Sequence, residues 1–526
     1  MTSHRPRTAL PAAALAAALL LTGCWWGGGT DGEGEPVVMG TTDTVRTLDP
    51  AGAYDPGSWL ITGNVFQSLL SLPPGGTAPQ PEAADECGFT DRVSRRFTCR
   101  LRGDLTFADG DGLTSHDVKY SFERTLRIDA PHGPAALLSA IDRIDTPDDR
   151  TVTFHLSRPD ATFAQKIATP AGAIVDHRAY PADSLRTDDS TDGSGVYTLE
   201  GLDGDTAVLA VNSRYQGPAD IRNSGMTIRF HPGDERGLRD ALTDGTVDLA
   251  YRGLTAGDLA DLRDGDRFTT VSGSGLEAQY LVPDPADPVT GDPAVRRALA
   301  QLIDRDALLR GLLPETAEPL YSLLPAGVLG HTTPFADLYG DRPRPNGARE
   351  ELRDAGHIDT LPLTLCASPE RSGPDATAAA DRIAAQLEAD GLFRVTVRTL
   401  SGTDLDEAAR DGGGACPLAL HGWSPVYPDP DSFLQPLLGA GGVLTAPYDS
   451  DHVTGDLVPA TERETDRERA ADDLAAIQEA VAADLPLIPL WQDRRQAVAA
   501  RGVTGLRWAL DSATTFRFWE IAKDPG

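Results

Sequence analysis

A short apolar run at the start of the chain decides where the rest of it must fold. Arg5 and Arg7 precede a stretch from Ala9 to Leu21 that is apolar apart from Pro11. The stretch is too short to cross a bilayer, and its charged flank is that of an export signal. No later segment is apolar for long enough to span a membrane. The remainder is therefore expected to fold outside the cell, in an oxidising space. Cys87, Cys99, Cys366 and Cys416 lie there, and three pairings are open. Cys87 and Cys99 flank an expected turn, and Cys366 and Cys416 each sit in a strand-like segment. Cys87–Cys99 and Cys366–Cys416 are the preferred pairs. No CxxC occurs, which favours structural bridges over metal or redox chemistry.

At 526 residues the chain is too long for one hydrophobic core, so two or more lobes are expected. The formal net charge of -32 repels phosphate backbones, which excludes a nucleic acid partner. The acidity is read mainly as a source of solubility. Lys119, Lys166 and Lys523 are the only lysines, which we read as coding bias. Short strands alternate with amphipathic helices, so the class is α/β. Asp292-Pro293 opens a helix whose face is Val295, Leu299, Leu302 and Ile303. Thr114-Ser115-His116-Asp117 has the form of a capping box, with Val118, Phe122 and Leu126 following at helical spacing. Ile383 and Leu387 mark a helix that Gly391 ends, before a strand over Phe393–Leu400. Leu474, Ile477 and Val481 mark a late helix, stopped by Pro486 and followed by a strand over Leu487–Trp491.

Leu21-Thr22-Gly23-Cys24 resembles the lipobox of bacterial lipoproteins. That resemblance implies cleavage before Cys24 and a diacylglycerol group on it, enough for stable anchoring. Trp25, Trp26 and a Gly-rich acidic stretch then read as a tether. Further on, a series of motifs resembles the family 5 extracellular solute-binding proteins. They are Thr47-Leu48-Asp49-Pro50, Asn64–Leu70, Phe97–Gly110, Leu113–Phe122, Gly193–Tyr197, Asp244–Asp248, Val295–Leu299 with Ile303-Asp304-Arg305, and His421-Gly422-Trp423 with Tyr427–Asp431. Each motif is weak alone; their order is the signal.

The resemblance implies a two-lobed periplasmic-binding-protein-like clamp, type II and cluster C-like, with an extra inserted domain. The expected division is a signal peptide over 1–23, a tether over 24–36, an N-terminal lobe from 37–70, 188–272 and 506–526, an inserted domain over 71–187, and a C-terminal lobe over 273–505. A ligand is enclosed between the lobes as they close. The expected role is a lipid-anchored binding protein on the extracellular face of the membrane. It passes a small solute or peptide to ABC permease subunits, as a monomer without cofactor. The alternative is a surface lipoprotein that senses a ligand without transporting it.

No catalytic constellation supports an enzyme: HExxH, GxSxG and P-loop motifs are all absent. Asp109-Gly110-Asp111-Gly112 reads as a turn rather than a calcium loop. His331, His421 and His452 are scattered, and no metal site is expected. The resemblance places Trp423, Ser424, Val426 and Tyr427 at the cleft, with Trp423 as a stacking wall. Tyr54 is expected to face them from the other lobe. In peptide-binding relatives an Asp stands where this chain has Val426 and pairs with the ligand's α-ammonium. Valine cannot do so, and an unpaired buried charge costs several kcal/mol. Asp429 and Asp431 read as a turn and a helix cap.

Overall fold

A computed structural model describes residues 36–263, 266–273, 275–411, 416–439, 448–510 and 516–523. Cys24, the export run and the tether up to residue 35 lie outside the described residues. Three large sheets organise the rest. The first has seven strands in the order Phe268–Gly273, Arg495–Ala500, Leu249–Tyr251, Val37–Thr41, Gly225–Phe230, Thr206–Val211, Tyr197–Asp203. Val37–Thr41 runs parallel to both of its neighbours. The second has six strands in the order Ala317–Pro319, Ile488–Asp493, Ala278–Pro283, Leu418–Trp423, Leu361–Ala367, Phe393–Thr399. The third is a four-stranded antiparallel sheet of Ala84–Phe89, Arg96–Leu101, Thr151–Leu156 and Ile141–Asp148. Each sheet carries its own buried apolar cluster, which is how a chain of this length divides its interior.

Local chemistry sets the helices. Ser115–Ile128 begins with a complete capping box: the Thr114 side chain caps the first turn and Asp117 Oδ2 accepts from Thr114 N at 2.8 Å. Val118 and Phe122 then bury against the four-stranded sheet. Pro293–Leu302 starts with Asp292 as N-cap, accepting from Ala294 N at 2.8 Å. Ala376–Glu388 and Ala471–Asp484 fill the two later helical positions, and each is followed by a strand of the six-stranded sheet. Residues 108–112 form a turn with Gly110 at φ +100, closed by a bridge between Thr106 and Gly112. Among the described residues no helix is long and apolar enough to cross a membrane.

The chain passes between the seven- and six-stranded sheets twice, side by side. Phe268–Gly273 leads into Ala278–Pro283, and Ile488–Asp493 leads into Arg495–Ala500. The crossings stay paired: Gly273 opposes Arg495, Ala278 opposes Gln492, and Asp493 N donates to Glu277 O at 2.9 Å. Gly275 sits where a Cβ would meet the Asp493 carbonyl at 1.9 Å, so only glycine lets the two crossings lie this close. Arg495–Ala500 pairs in the seven-stranded sheet, although it precedes the boundary at 505 expected from sequence.

Disulfides join Cys87 to Cys99, directly opposed on neighbouring strands, and Cys366 to Cys416. A bidentate ion pair ties two distant motifs together. Arg124, on the Ser115–Ile128 helix, donates to Asp49 Oδ1 at 2.8 Å and Oδ2 at 2.6 Å, with both side chains buried.

Candidate functional site

The twin crossing gathers a cluster of charged and polar side chains. Gln279, at the start of the Ala278–Pro283 strand, donates its Nε2 to Asp493 Oδ2 at 3.0 Å and to Glu277 Oε1 at 3.3 Å. Trp491 Nε1 donates to the other Asp493 oxygen at 2.9 Å. Gly422, opposite Gln279, has no room for a Cβ: one would lie 2.7 Å from Gln279 Nε2. Burial, and then the charge of Glu277 beside it, push the Asp493 carboxyl up to about 8. Glu277 and Asp493 are half-buried.

Across the crossing, Tyr251 ends a strand of the seven-stranded sheet and accepts from Arg495 Nη1 at 3.1 Å. Arg252 follows with φ +66, a conformation that costs a non-glycine residue energy. Its guanidinium lies 5.3 Å from the Tyr251 ring centroid and 3.7 Å from Asp43. Burial opposes the Arg252 charge, but Tyr251 and Asp43 outweigh it and the pKa is raised. Burial likewise opposes ionisation of Tyr251, and the charges of Arg495 and Arg252 outweigh it, so its pKa is lowered. The crossing therefore brings the Arg252 and Arg495 guanidinium groups near one end of the pair and the Glu277 and Asp493 carboxyls to the other. Apart from Gly422, none of these residues lay in a motif of the sequence.

The raised Asp493 carboxyl has a measurable consequence. The native state holds a proton here that the unfolded chain releases near the ordinary carboxylate pKa, so stability falls as pH rises from about 4 to about 8. Asp493→Asn removes that dependence. The melting temperature of the variant minus that of the parent is expected to grow between pH 5 and pH 8 and then level off. A change of about 2–4 °C corresponds to roughly 1 kcal/mol in a domain of 150–250 residues. A difference that stays flat with pH would show that Asp493 titrates normally.

The residues expected at the cleft from sequence are placed as follows. Tyr54 is 36% exposed and meets Trp59 edge-on at 5.4 Å; burial in the surrounding protein pushes its hydroxyl up to about 12. Val426 packs into the same patch, against Ala53, Trp59, Ala171 and Leu137. Tyr54 and Val426 thus meet through Trp59, which sequence reading missed. Trp423 is half-buried, with its Nε1 donating to Ser432 O at 2.7 Å, and Ser424 is exposed. Tyr427 is buried, its hydroxyl donating to Asp431 Oδ2 at 2.9 Å and its ring centroid 5.9 Å from Lys166 Nζ. His421 is buried with Nε2 3.1 Å from Asp406, and His331 Nδ1 lies 2.7 Å from Leu324 O.

Asp429 and Asp431 are more than a turn and a cap. Asp431 Oδ2 takes Thr162 Oγ1 at 3.0 Å and Lys166 Nζ at 3.3 Å, and Lys166 also reaches Asp160 at 2.9 Å. Asp429 takes a bidentate pair from Arg467 at 2.8 and 2.9 Å. The network joins the segment beneath the four-stranded sheet to the six-stranded sheet's helices. Elsewhere, a cavity of ≈ 90 Å³ beside Gln67, Glu82 and Tyr215 is too small for a ligand of peptide size, which needs about 300 Å³ or more.

Comparisons with known proteins agree with this architecture. The family description "bacterial extracellular solute-binding proteins, family 5 Middle" matches residues 78–444. The chain is 25% identical over 410 residues to the probable D,D-dipeptide-binding periplasmic protein DdpA of Escherichia coli, covering 76% of each. A structure of the periplasmic binding protein DppA from Helicobacter pylori, in complex with peptide STSA, superposes with TM-score 0.78 at 21% identity, covering 94% of this chain and 99% of that one. Clavulanic acid biosynthesis oligopeptide binding protein 2 superposes with TM-score 0.81 at 21% identity, over 94% of this chain and 99% of that one. At such identities the two superpositions speak for the fold, a two-lobed binding protein, and the family match carries the assignment. The chain belongs to the bacterial extracellular solute-binding proteins of family 5.

Proposed function

We propose that this protein captures a solute outside the cell and delivers it to the permease subunits of an ABC importer. The seven-stranded sheet is the frame of the N-terminal lobe, the six-stranded sheet that of the C-terminal lobe, and the four-stranded sheet that of the inserted domain. The observation that carries the reading is the twin crossing, where two adjacent stretches of chain join the large sheets beside a cluster of charged side chains, the floor of the proposed solute cleft. A pair of strands can bend together while each lobe keeps its own core. Tyr54, Trp423, Ser424 and Val426 line the mouth of that cleft, and Tyr427 supports it from within.

The ligand class follows from Val426. Its side chain is packed among apolar groups, and the neighbouring carboxylates Asp429 and Asp431 are engaged by Arg467 and Lys166. The position that would hold the ammonium's partner is thus apolar, and the two nearest acidic residues in the sequence already carry cations. A solute with a blocked or absent amine fits: a modified peptide, a sugar or another uncharged molecule.

The protein is held at the extracellular face of the membrane by lipid on Cys24. Cys24→Ser is expected to move it from the membrane fraction into the medium; full membrane retention would exclude lipid as the sole anchor. Native mass spectrometry of the purified protein tests solute capture. A bound mass that is lost on partial unfolding supports it, and import of that solute should cease when the gene is deleted. A bound solute whose uptake continues unchanged would favour sensing over transport.

A further inference from the structure

The four-stranded unit brings together two histidines that lie far apart in the sequence. His116 is in the first turn of the Ser115–Ile128 helix, and His177 is in the segment that packs beside it. Their rings meet edge-on with centroids 4.4 Å apart. The buried Asp117 carboxylate stands between the helix start and His177. Its Oδ2 takes Thr114 N as part of the capping box, and its Oδ1 lies 2.7 Å from His177 Nδ1.

This arrangement assigns the His177 tautomer. An ionised carboxylate only accepts hydrogen bonds, so in the neutral imidazole Nδ1 carries the proton and Nε2 the lone pair. A histidine held through one nitrogen by a carboxylate, with the other nitrogen free, is the usual form of a metal-ligating imidazole. Ligand atoms of His116, Asp117 and His177 all lie within 4.8 Å of one another. Two nitrogens on one zinc ion, each at about 2.0–2.1 Å, can be at most about 4 Å apart. His116 is exposed, so its ring is free to turn toward an ion held by His177.

The surrounding charge also suits a cation. Asp176 Oδ1 is 3.9 Å from His177 Nδ1. A helix N-terminus by itself opposes positive charge, and Asp117 offsets that here. A second group, Asp109, Asp111 and Asp176, is equally close-knit, but Arg178 already fills it, binding Asp176 at 2.8 Å and Asp111 at 2.8 Å. The histidine pair is thus the member of the two groups with open ligand positions.

We infer that His116 and His177, with Asp117 orienting His177, form a site for an imidazole-seeking divalent cation such as Zn²⁺, separate from the solute cleft. Bound there, the ion clips the first helical turn to the segment around His177 and stabilises the four-stranded unit by binding the folded state only.

Zinc chloride titrated into the full-length protein, free of any histidine tag and pretreated with chelator, tests this by calorimetry. One saturable site is expected, weakened at least about tenfold in His116→Ala and in His177→Ala, with a loss of about 10–100-fold in Asp117→Asn. His116 is exposed, so His116→Ala should melt like the parent in chelator while losing the rise in melting temperature that zinc gives the parent. Absence of saturable binding overturns the proposal. So does a His116→Ala variant that binds zinc as tightly as the parent, or a site lost only on Asp109→Asn and Asp111→Asn.

Discussion

Lys166→Met should destabilise the protein by about 3–5 kcal/mol, the usual cost of leaving buried carboxylates without their cation. Lys166 lies 2.9 Å from Asp160 and 3.3 Å from Asp431, and the three side chains are 11%, 5% and 4% exposed. Burial disfavours the Lys166 charge, but Asp431 and Asp160 outweigh it and its pKa is raised. Burial also opposes the Asp431 charge, and Lys166, Tyr427 and Thr162 outweigh it, so its pKa is lowered. The signs set the pH window. The Asp431 contribution is complete above the ordinary carboxylate range and fades as pH falls through it. The Lys166 contribution is complete below the ordinary lysine range and fades as pH rises beyond it. Between these limits the variant's deficit should be constant. Calorimetry measures it, and the triple variant with Asp160→Asn and Asp431→Asn should recover much of the loss. A single variant as stable as the parent would show that the network contributes little.

The network also bears on closure. Beside it, Ala161 N donates to Glu462 O at 2.8 Å and Ser94 Oγ to Arg463 O at 3.2 Å. These contacts link the four-stranded unit to the six-stranded one. Solution scattering of Lys166→Met should therefore show a larger radius of gyration as well as the lower stability.

Val426→Asp should have the largest effect on binding. The parent is expected to bind di- and tripeptides with a free amine weakly or not at all. Aspartate at this position would sit among Ala53, Trp59, Ala171 and Leu137, where an ammonium in contact gains most from pairing because little water competes. A gain of at least about tenfold for free-amine peptides is expected, with none for the same peptides when acetylated. Calorimetry against a small peptide set, with both proteins in parallel, measures this. Tight binding of free dipeptides by the parent, unchanged by blocking the amine, would show that no anchor is needed. Tight binding that blocking abolishes would show that another carboxylate has taken the role. Asp493→Asn would then report whether Asp493 at the twin crossing is that carboxylate.

Lysine usage shows how composition can mislead. Three lysines among many arginines read as coding bias, yet Lys166 is the cation of a buried network and Lys523 reaches Asp248 at 3.0 Å. A compact ammonium fits between two carboxylates where a planar guanidinium would need more room. Composition counts residues without their surroundings, so this role has no signature in it.

Several features were legible in the chain because their causes are local. The Thr114–Asp117 capping box and the Asp292-Pro293 helix start are hydrogen bonds within one turn, written in adjacent residues. The late strands and helices followed their apolar periods, and the motif order was enough for the family. What only the tertiary structure decided is the set of partners. Gln279 and Asp493 are 214 positions apart, Thr162 and Asp431 are 269 apart, and Asp49 and Arg124 are 75 apart. Such pairs depend on how separately cored sheets dock and on where the chain crosses between them. No local propensity or period encodes that geometry. The charged cluster at the crossing, the buried Lys166 network and the facing histidines therefore became visible only when the docked sheets brought their residues together.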